Sequence, residues 1–332
     1  MLAYQYESPA IGLQLRHLPI PEPGPDCVQI RVKAAGLCHS DCHLIKGHDA
    51  ALVKRPITLG HEVSGIVTKA GANVAEYRPG DRVAVSLLAH PLDLEDRSWA
   101  MAIGLGFDGG YAEYTVAPAS RIVRIPDGVA FSEAAIATDA MATAYHAVMI
   151  EAGVHSGTTV GIIGIGGLGM HGLGFASLSG ANVYGVDIVE SKFAQARRLG
   201  ARGCFTSLED AGGDVVFDVM VDFVGAQETT SSALKRVKQG GKVVVVGLAA
   251  GELTISSTDL IERSISLVGS FGASESDLNN VLGLLARKEI EPQLEEIHFA
   301  SIPAGLDTLD KGGVQGRLWA DPSKLERGGS SE

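Results

Sequence analysis

The spacing of hydrophobic and polar positions divides this chain into two textures. Up to about Val123, short apolar runs such as 13–18 and 27–34 alternate with turns rich in glycine and proline, among them PIPEPGPD (19–26) and RPGD (78–81). That rhythm predicts a strand-rich, barrel-like domain. From about Phe131 the pattern becomes an alanine-rich helical stretch, SEAAIATDAMATAYHAVMIEAG, and from Thr159 apolar runs alternate with helical segments. Strands are expected at 160–163, 181–186, 215–221, 242–246 and 265–268, with a helix at 228–237, which together predict a parallel sheet covered on both faces. A helix at 275–287, a β-like run at 296–299, a small helix and GGVQGRLWADP follow. The polar residues 327–332 are expected to fray.

Residues 159–192 organise the second texture. An apolar run ends in Gly164-Ile165-Gly166-Gly167-Leu168-Gly169, a glycine-rich helical segment follows, and a second apolar run closes on Asp187. Strand, glycine turn, helix and strand, with an acid about 20 positions past the turn, form the pattern of a dinucleotide-binding βαβ unit. Gly164 permits the tight turn, Gly166 lets backbone approach a pyrophosphate, and Gly169 lets the helix pack close. The helix start at Gly167 and Leu168 offers N–H groups to phosphate. A carboxylate at 187 bonds a ribose 2′-hydroxyl and repels a 2′-phosphate, which favours NAD(H) over NADP(H). Lys192 either reaches the same ribose or is a solvated helix charge.

Composition narrows the classes. A length of 332 residues with 45% hydrophobic and 20% charged residues suits two globular domains. The net charge of −12 argues against nucleic acid or an anionic membrane surface as partner. Residues 156–186 carry no Asp, Glu, Lys or Arg, but glycines every few positions fit a buried strand and packed helix better than a membrane span. No secretory or transit segment is read at the start, and four irregularly spaced cysteines make a reducing cytoplasm the default.

A second cluster of chemistry lies in the first texture: Cys38-His39-Ser40-Asp41-Cys42-His43, and Gly60-His61-Glu62. Thiolate, imidazole and carboxylate are zinc ligands, and a catalytic zinc takes three from the protein. Taken singly, Cys38 also reads as a small buried hydrophobe and His61 as a core imidazole.

With GLCHSD (36–41), GHE (60–62) and its trailing Gly65, Gly71 and Val74, RPGDRVAV (78–85), DGGYAEYTVAPA (108–119), the glycine turn, FVGAQ (223–227) and GGKVVVVG (240–247), the chain resembles the zinc-dependent medium-chain alcohol dehydrogenases over nearly its whole length. The resemblance implies an α/β fold, a GroES-like β-barrel catalytic domain joined to a Rossmann doubly wound parallel sheet, with the active site between them. The expected division is 1–140 catalytic, 141–273 NAD-binding, and 274–332 returning to the catalytic domain.

Carried over by position, the resemblance makes Cys38 and His61 the first two zinc ligands and Asp139 the third, where relatives usually carry Cys. The alternative is that Asp139 caps a helix beginning near Ala140. Glu62 is expected behind the metal, Asp41 as the carboxylate orienting a histidine ligand, and Ser40 and His43 as a proton relay. His39 and Arg317 stand where the family contacts the pyrophosphate, with surface charge as the other reading. Phe223, Val246, Gly247, Ser270 and Phe271 are expected on the nicotinamide side, and Leu44, Trp99 and Met141 as apolar pocket liners. Residues 86–107 contain no Cys, so the structural zinc of relatives is not expected; Leu87, Leu92, Trp99 and Met101 are expected to hold that lobe instead.

The implied activity is NAD-dependent interconversion of an alcohol, secondary or medium-sized and apolar, with its ketone or aldehyde, using one catalytic zinc. The alternative is reduction of a C=C or C=N bond with zinc outside the chemistry. The expected partner is a small-molecule alcohol or carbonyl compound, with no nucleic acid or membrane, in a cytoplasmic homodimer or homotetramer.

Overall fold

Alternation with a period of two sets the strands of the first part of the chain. In Cys27–Gly36, Val28, Ile30 and Val32 point into one hydrophobic core while Arg31 faces out. The structure, a computed structural model, describes residues 1–48, 52–87, 101–212 and 215–324. Two units separate by contact: Met1–Asp139 with Ala273–Glu332, and Ala140–Gly272.

The first unit begins with β1 (Leu2–Tyr6), β2 (Leu13–His17), β3 (Cys27–Gly36), α1 (His39–Ile45), β4 (Ile57–Thr58), β5 (Glu62–Ala70), β6 (Arg82–Val85), β7 (Tyr114–Pro118), β8 (Ile122–Arg124) and α2 (Phe131–Ile136). Strands β2, β1 and β4 make one antiparallel sheet; β3, β5, β6 and β8 run side by side in another, with β7 also on β3. Leu87 packs against this core. Leu92, Trp99 and the tail at 327–332 lie outside the described residues.

The alanine-rich run is helical well before Ala140. It starts at Phe131, where Glu133 Oε2 accepts the N–H of Ala130 at 2.7 Å. It widens to a π-helical turn at Ala137–Met141, tightens in α3 (Ala142–Tyr145), and widens again at His146–Glu151. The alternative reading, in which Asp139 caps a helix beginning near Ala140, does not hold. Asp139 sits inside a continuous run whose N-terminal N–H group is already satisfied by Glu133.

The second unit continues with β9 (Thr159–Ile163), α4 (Gly167–Leu178), β10 (Asn182–Val186), α5 (Phe193–Arg198), β11 (Gly203–Phe205), β12 (Phe217–Asp222), α6 (Gln227–Arg236), β13 (Val237–Val245), α7 (Ser257–Glu262) and β14 (Ser266–Gly269). Its six strands are parallel in the order β11-β10-β9-β12-β13-β14, the doubly wound arrangement that reverses direction between β9 and β12. Side chains alternate between two cores: Val160 and Ile162 join one, Ile163 the other; Val219 and Val221 join the first, Met220 the second. β13 starts earlier than the expected 242, because Val237 pairs with Phe217 before the register shifts.

The chain then returns to the first unit through α8 (Glu275–Ala286), β15 (Leu294–Ile297), α9 (Ile302–Asp310) and β16 (Arg317–Ala320). β16 pairs antiparallel with β3, Ala320 opposite Ala35. That pairing sets Arg317 beside the end of β3. Among the described residues no helix is long and apolar enough to cross a membrane.

Candidate functional site

Three donors that lie far apart in sequence meet in the first unit. Cys38 precedes α1, His61 precedes β5, and Asp139 lies on the first π turn; their ligand atoms all fall within 4.8 Å of one another, and all three residues are buried. Cys38 Sγ and His61 Nε2 each stand 3.5 Å from Asp139 Oδ2. The π turn matters here, because an extra residue per turn re-aims a side chain without breaking the helix.

Asp41 supports this trio from inside α1. Its Oδ2 accepts the N–H of Cys38 at 3.2 Å and the hydroxyl of Tyr111 at 2.7 Å. Its Oδ1 lies 3.4 Å from His61 Nδ1, too poorly aligned for a hydrogen bond, and both atoms are buried without a hydrogen-bond partner. Burial alone would lower the His61 pKa, but the negative charges of Asp41 and Cys38 and the close carboxylates of Asp139 and Asp41 outweigh it and hold that pKa well above its usual value. Surroundings that favour a proton on a buried imidazole favour a divalent cation for the same electrostatic reason. Sulfur, nitrogen and oxygen donors in a buried set of three fit zinc with one position open. The Asp41–His61 contact fits a carboxylate that orients a ligand histidine.

Glu62 is wholly buried, and Arg317 engages it: Nε donates to Oε2 at 3.1 Å and Nη2 to Oε1. Nη2 also lies 3.8 Å from Asp139 Oδ2. Arg317 is therefore not a surface charge; its guanidinium is closed over Glu62. Burial raises the Glu62 carboxyl above its ordinary range although Arg317 opposes this. Glycines make room for these groups. A Cβ on Gly36 would meet Glu62 Oε2 at 2.0 Å, and one on Gly60, at φ +92°, would meet the Tyr111 ring at 2.6 Å.

Ser40 and His43 are exposed and lie three positions apart on α1, with Ser40 Oγ 3.5 Å from Cys38 Sγ. The His39 and His43 rings are 6.3 Å apart between centroids, and burial, then the charge of His43, lowers the His39 pKa. Leu44 and Met141, expected as pocket liners, are 4% and 0% exposed. Leu44 is packed into the first unit's core. Trp99 is outside the described residues.

In the second unit, Gly164 takes φ +78° and donates its N–H to Val186 O at 2.8 Å. A Cβ on Gly169 would strike Gly164 O at 2.0 Å, whereas one on Gly166 meets nothing within 4 Å. Close packing below and open space above are what a phosphate turn needs. Gly167 and Leu168 open α4. Asp187 opens the loop after β10, its Oδ1 accepting the Val189 N–H at 2.9 Å and its Oδ2 the Lys192 ammonium at 2.8 Å. Lys192 is thus paired, with Asp187. Phe223, Val246, Gly247, Ser270 and Phe271 all follow carboxyl ends of parallel strands; Ser270 is buried and Phe271 exposed.

Sequence reasoning missed Tyr111, the Glu62–Arg317 pair and the π turns. Tyr111 stands in DGGYAEYTVAPA and its neighbouring glycines were a signal; nothing local marks the other two.

Two family models match the chain: the alcohol dehydrogenase GroES-like domain over residues 24–127 and the zinc-binding dehydrogenase over residues 167–287. An alcohol dehydrogenase of Geobacillus stearothermophilus is 31% identical over 330 residues, covering 95% of this chain and 96% of that one. Among solved structures, the acetophenone reductase of Geotrichum candidum NBRC 4597 in complex with NAD superposes with a TM-score of 0.88 at 32% identity, covering 98% of each chain. The cobalt- and zinc-bound thermostable alcohol dehydrogenase of Pyrobaculum aerophilum gives 0.87 at 26%, covering 97% of this chain and 99% of that one.

Proposed function

The chain belongs to the zinc-dependent medium-chain dehydrogenase/reductase family, as an oxidoreductase acting on CH–OH groups, and from that we propose that it interconverts a secondary or medium-sized apolar alcohol and the matching ketone or aldehyde with NAD(H). The observation that carries the reading is the buried Cys38, His61 and Asp139 donor set. These residues would hold one zinc ion. When bound, zinc supplies Lewis acidity that lowers the hydroxyl pKa of an alcohol, and NAD supplies the hydride acceptor.

The protein's own groups then divide the work. Asp41, itself fixed by Tyr111, holds His61 in the orientation that presents Nε2. Ser40 would take the substrate proton beside Cys38 as it gives up its own, and His43, exposed on the next turn of α1, would release a proton from the relay to water. Glu62, with Arg317 closed over it, lies behind the donor set. The turn from Gly164 to Gly169 receives the pyrophosphate and Asp187 the adenosine ribose, the feature that supports NAD over NADP. All four cysteines are free, which supports a reducing, cytoplasmic setting; a homodimer or homotetramer is the expected assembly.

Metal analysis combined with a substrate panel tests this. Purified protein should carry one zinc per chain and oxidise secondary alcohols with NAD. Cys38→Ala should lose both zinc and turnover while still binding NADH. Alcohol oxidation surviving in that variant would sink the scheme, and strong enone or imine reduction without alcohol turnover would replace it with the C=C or C=N reductase.

A further inference from the structure

Asp222 ends β12 at the point where the strand order reverses, opposite Ile163 at the end of β9. It is 0% exposed. Burying a carboxylate is unfavourable unless donors surround it, and here four do. Oδ1 accepts the N–H groups of Val224 and Gly225, each at 2.9 Å. Oδ2 accepts the hydroxyls of Thr229 at 2.7 Å and Thr230 at 2.8 Å. Its backbone carbonyl accepts two more N–H groups, from Val246 at 2.9 Å and Gly247 at 3.2 Å, and the next residue, Phe223, donates to Ile163 O at 2.9 Å. The carboxylate thus ties the segment leaving β12 to the start of α6, while the main chain of 222 and 223 holds that segment against those leaving β9 and β13.

Those segments touch with no room to spare. A Cβ on Gly225, at φ +67°, would lie 1.8 Å from Gly247 O, and one on Gly164 would lie 2.6 Å from Val224 Cγ2. A valine at 222 would serve the strand as well as Asp does, but it would leave the Val224 and Gly225 N–H groups unpaired. The charge is therefore spent on backbone placement and not on the core.

We propose that Asp222 is a positioning residue for the coenzyme: its carboxylate fixes the Val224–Gly225 backbone, against which Gly247 packs, and so governs affinity for the whole dinucleotide but not for its adenylate half. The proposal rests on the dinucleotide reading above, with those segments on the nicotinamide side and Asp187 on the adenosine side.

NADH and AMP affinities of wild type, Asp222→Ala, Asp222→Asn and Val219→Ala, a core truncation on the same strand, decide it. In Asp222→Ala the Kd for NADH should rise about 10–100-fold, since charged hydrogen bonds are lost. The Kd for AMP should move by less than about twofold, as for an uncoupled site. Asn keeps an acceptor for the two N–H groups and should return the NADH Kd to within about fivefold of wild type. Val219→Ala should lower Tm without splitting the two affinities. If Asp222→Ala does not fold, Thr229→Val/Thr230→Val unpins Oδ2 alone and carries the same comparison. Unchanged NADH affinity, parallel loss of NADH and AMP, or an Asn variant no better than Ala overturns the proposal. Wild type that binds no NADH overturns the dinucleotide reading instead, so the two failures are distinct.

Discussion

Arg317 donates from Nε to Oε2 of Glu62 at 3.1 Å, across 255 positions of sequence, and both side chains are shut off from solvent. The pair stands 3.8 Å from Asp139 through Nη2. Glu62→Gln should therefore do two things. Leaving the guanidinium without its full partner should cost roughly 3–5 kcal/mol of stability. Arg317 would then turn to Asp139, its other close carboxylate, and compete with a metal for that oxygen. Thermal unfolding and zinc competition with a chelator measure the two effects; a variant with wild-type Tm and zinc affinity counts against the arrangement.

Asp41 touches the Cys38 N–H, Tyr111 and the His61 ring. Asp41→Asn keeps the volume but removes the charge that holds the imidazole. Zinc affinity should fall about 10–100-fold, the usual cost of losing the group behind a histidine ligand. Equal chelator titration curves for the two proteins would show that His61 needs no such support.

Coenzyme choice should turn on Asp187. Asp187→Ser removes the carboxylate charge and releases the Lys192 ammonium now held at 2.8 Å. The ratio of kcat/KM for NAD over NADP should shift roughly 100-fold toward NADP, two charged hydrogen-bond contributions acting in one direction. A shift too small to measure in steady-state assays with both coenzymes would place the adenosine ribose elsewhere.

Acid should loosen the second unit through Asp218. Burial works to raise this carboxyl, but the Lys238 hydrogen bond, the Thr159 N–H at 2.7 Å and the Lys238 charge outweigh it and hold the carboxyl below the ordinary 3.8. A depressed carboxyl stabilises the fold above its unfolded pKa, and that stability drains as pH falls through the lower folded value. Asp218→Asn should flatten the stability–pH curve below pH 3.8 and leave its slope near neutrality unchanged. Chemical unfolding at a series of pH values reads this directly, and superimposable curves would refute it.

Whatever depends on neighbours in sequence was legible in the sequence. The 164–169 turn, its strand and the acid at 187 lie within one βαβ unit, so their spacing carries their geometry. The apolar alternation likewise marked β3, β9 and β12. The rest depends on partners remote in the chain. Arg317 meets Glu62 only because β16 pairs with β3, and Gly225 meets Gly247 only because β13 lies beside β12. Nor does an alanine-rich run declare where its pitch will widen, since small side chains accept either pitch and packing decides.

The wide turn at Ala137–Met141 makes chain length, more than residue type, the quantity that insertions and deletions put at risk. Removing one residue there would let the run rewind to the ordinary pitch and swing position 139 about 100° around the axis, since 3.6 residues complete a turn. Exchange among oxygen and sulfur donors at that position is chemically mild by comparison. On the proposed ligation, a variant with Cys or Glu at 139 should therefore keep more metal affinity than one with a residue deleted from the Ala137–Met141 turn.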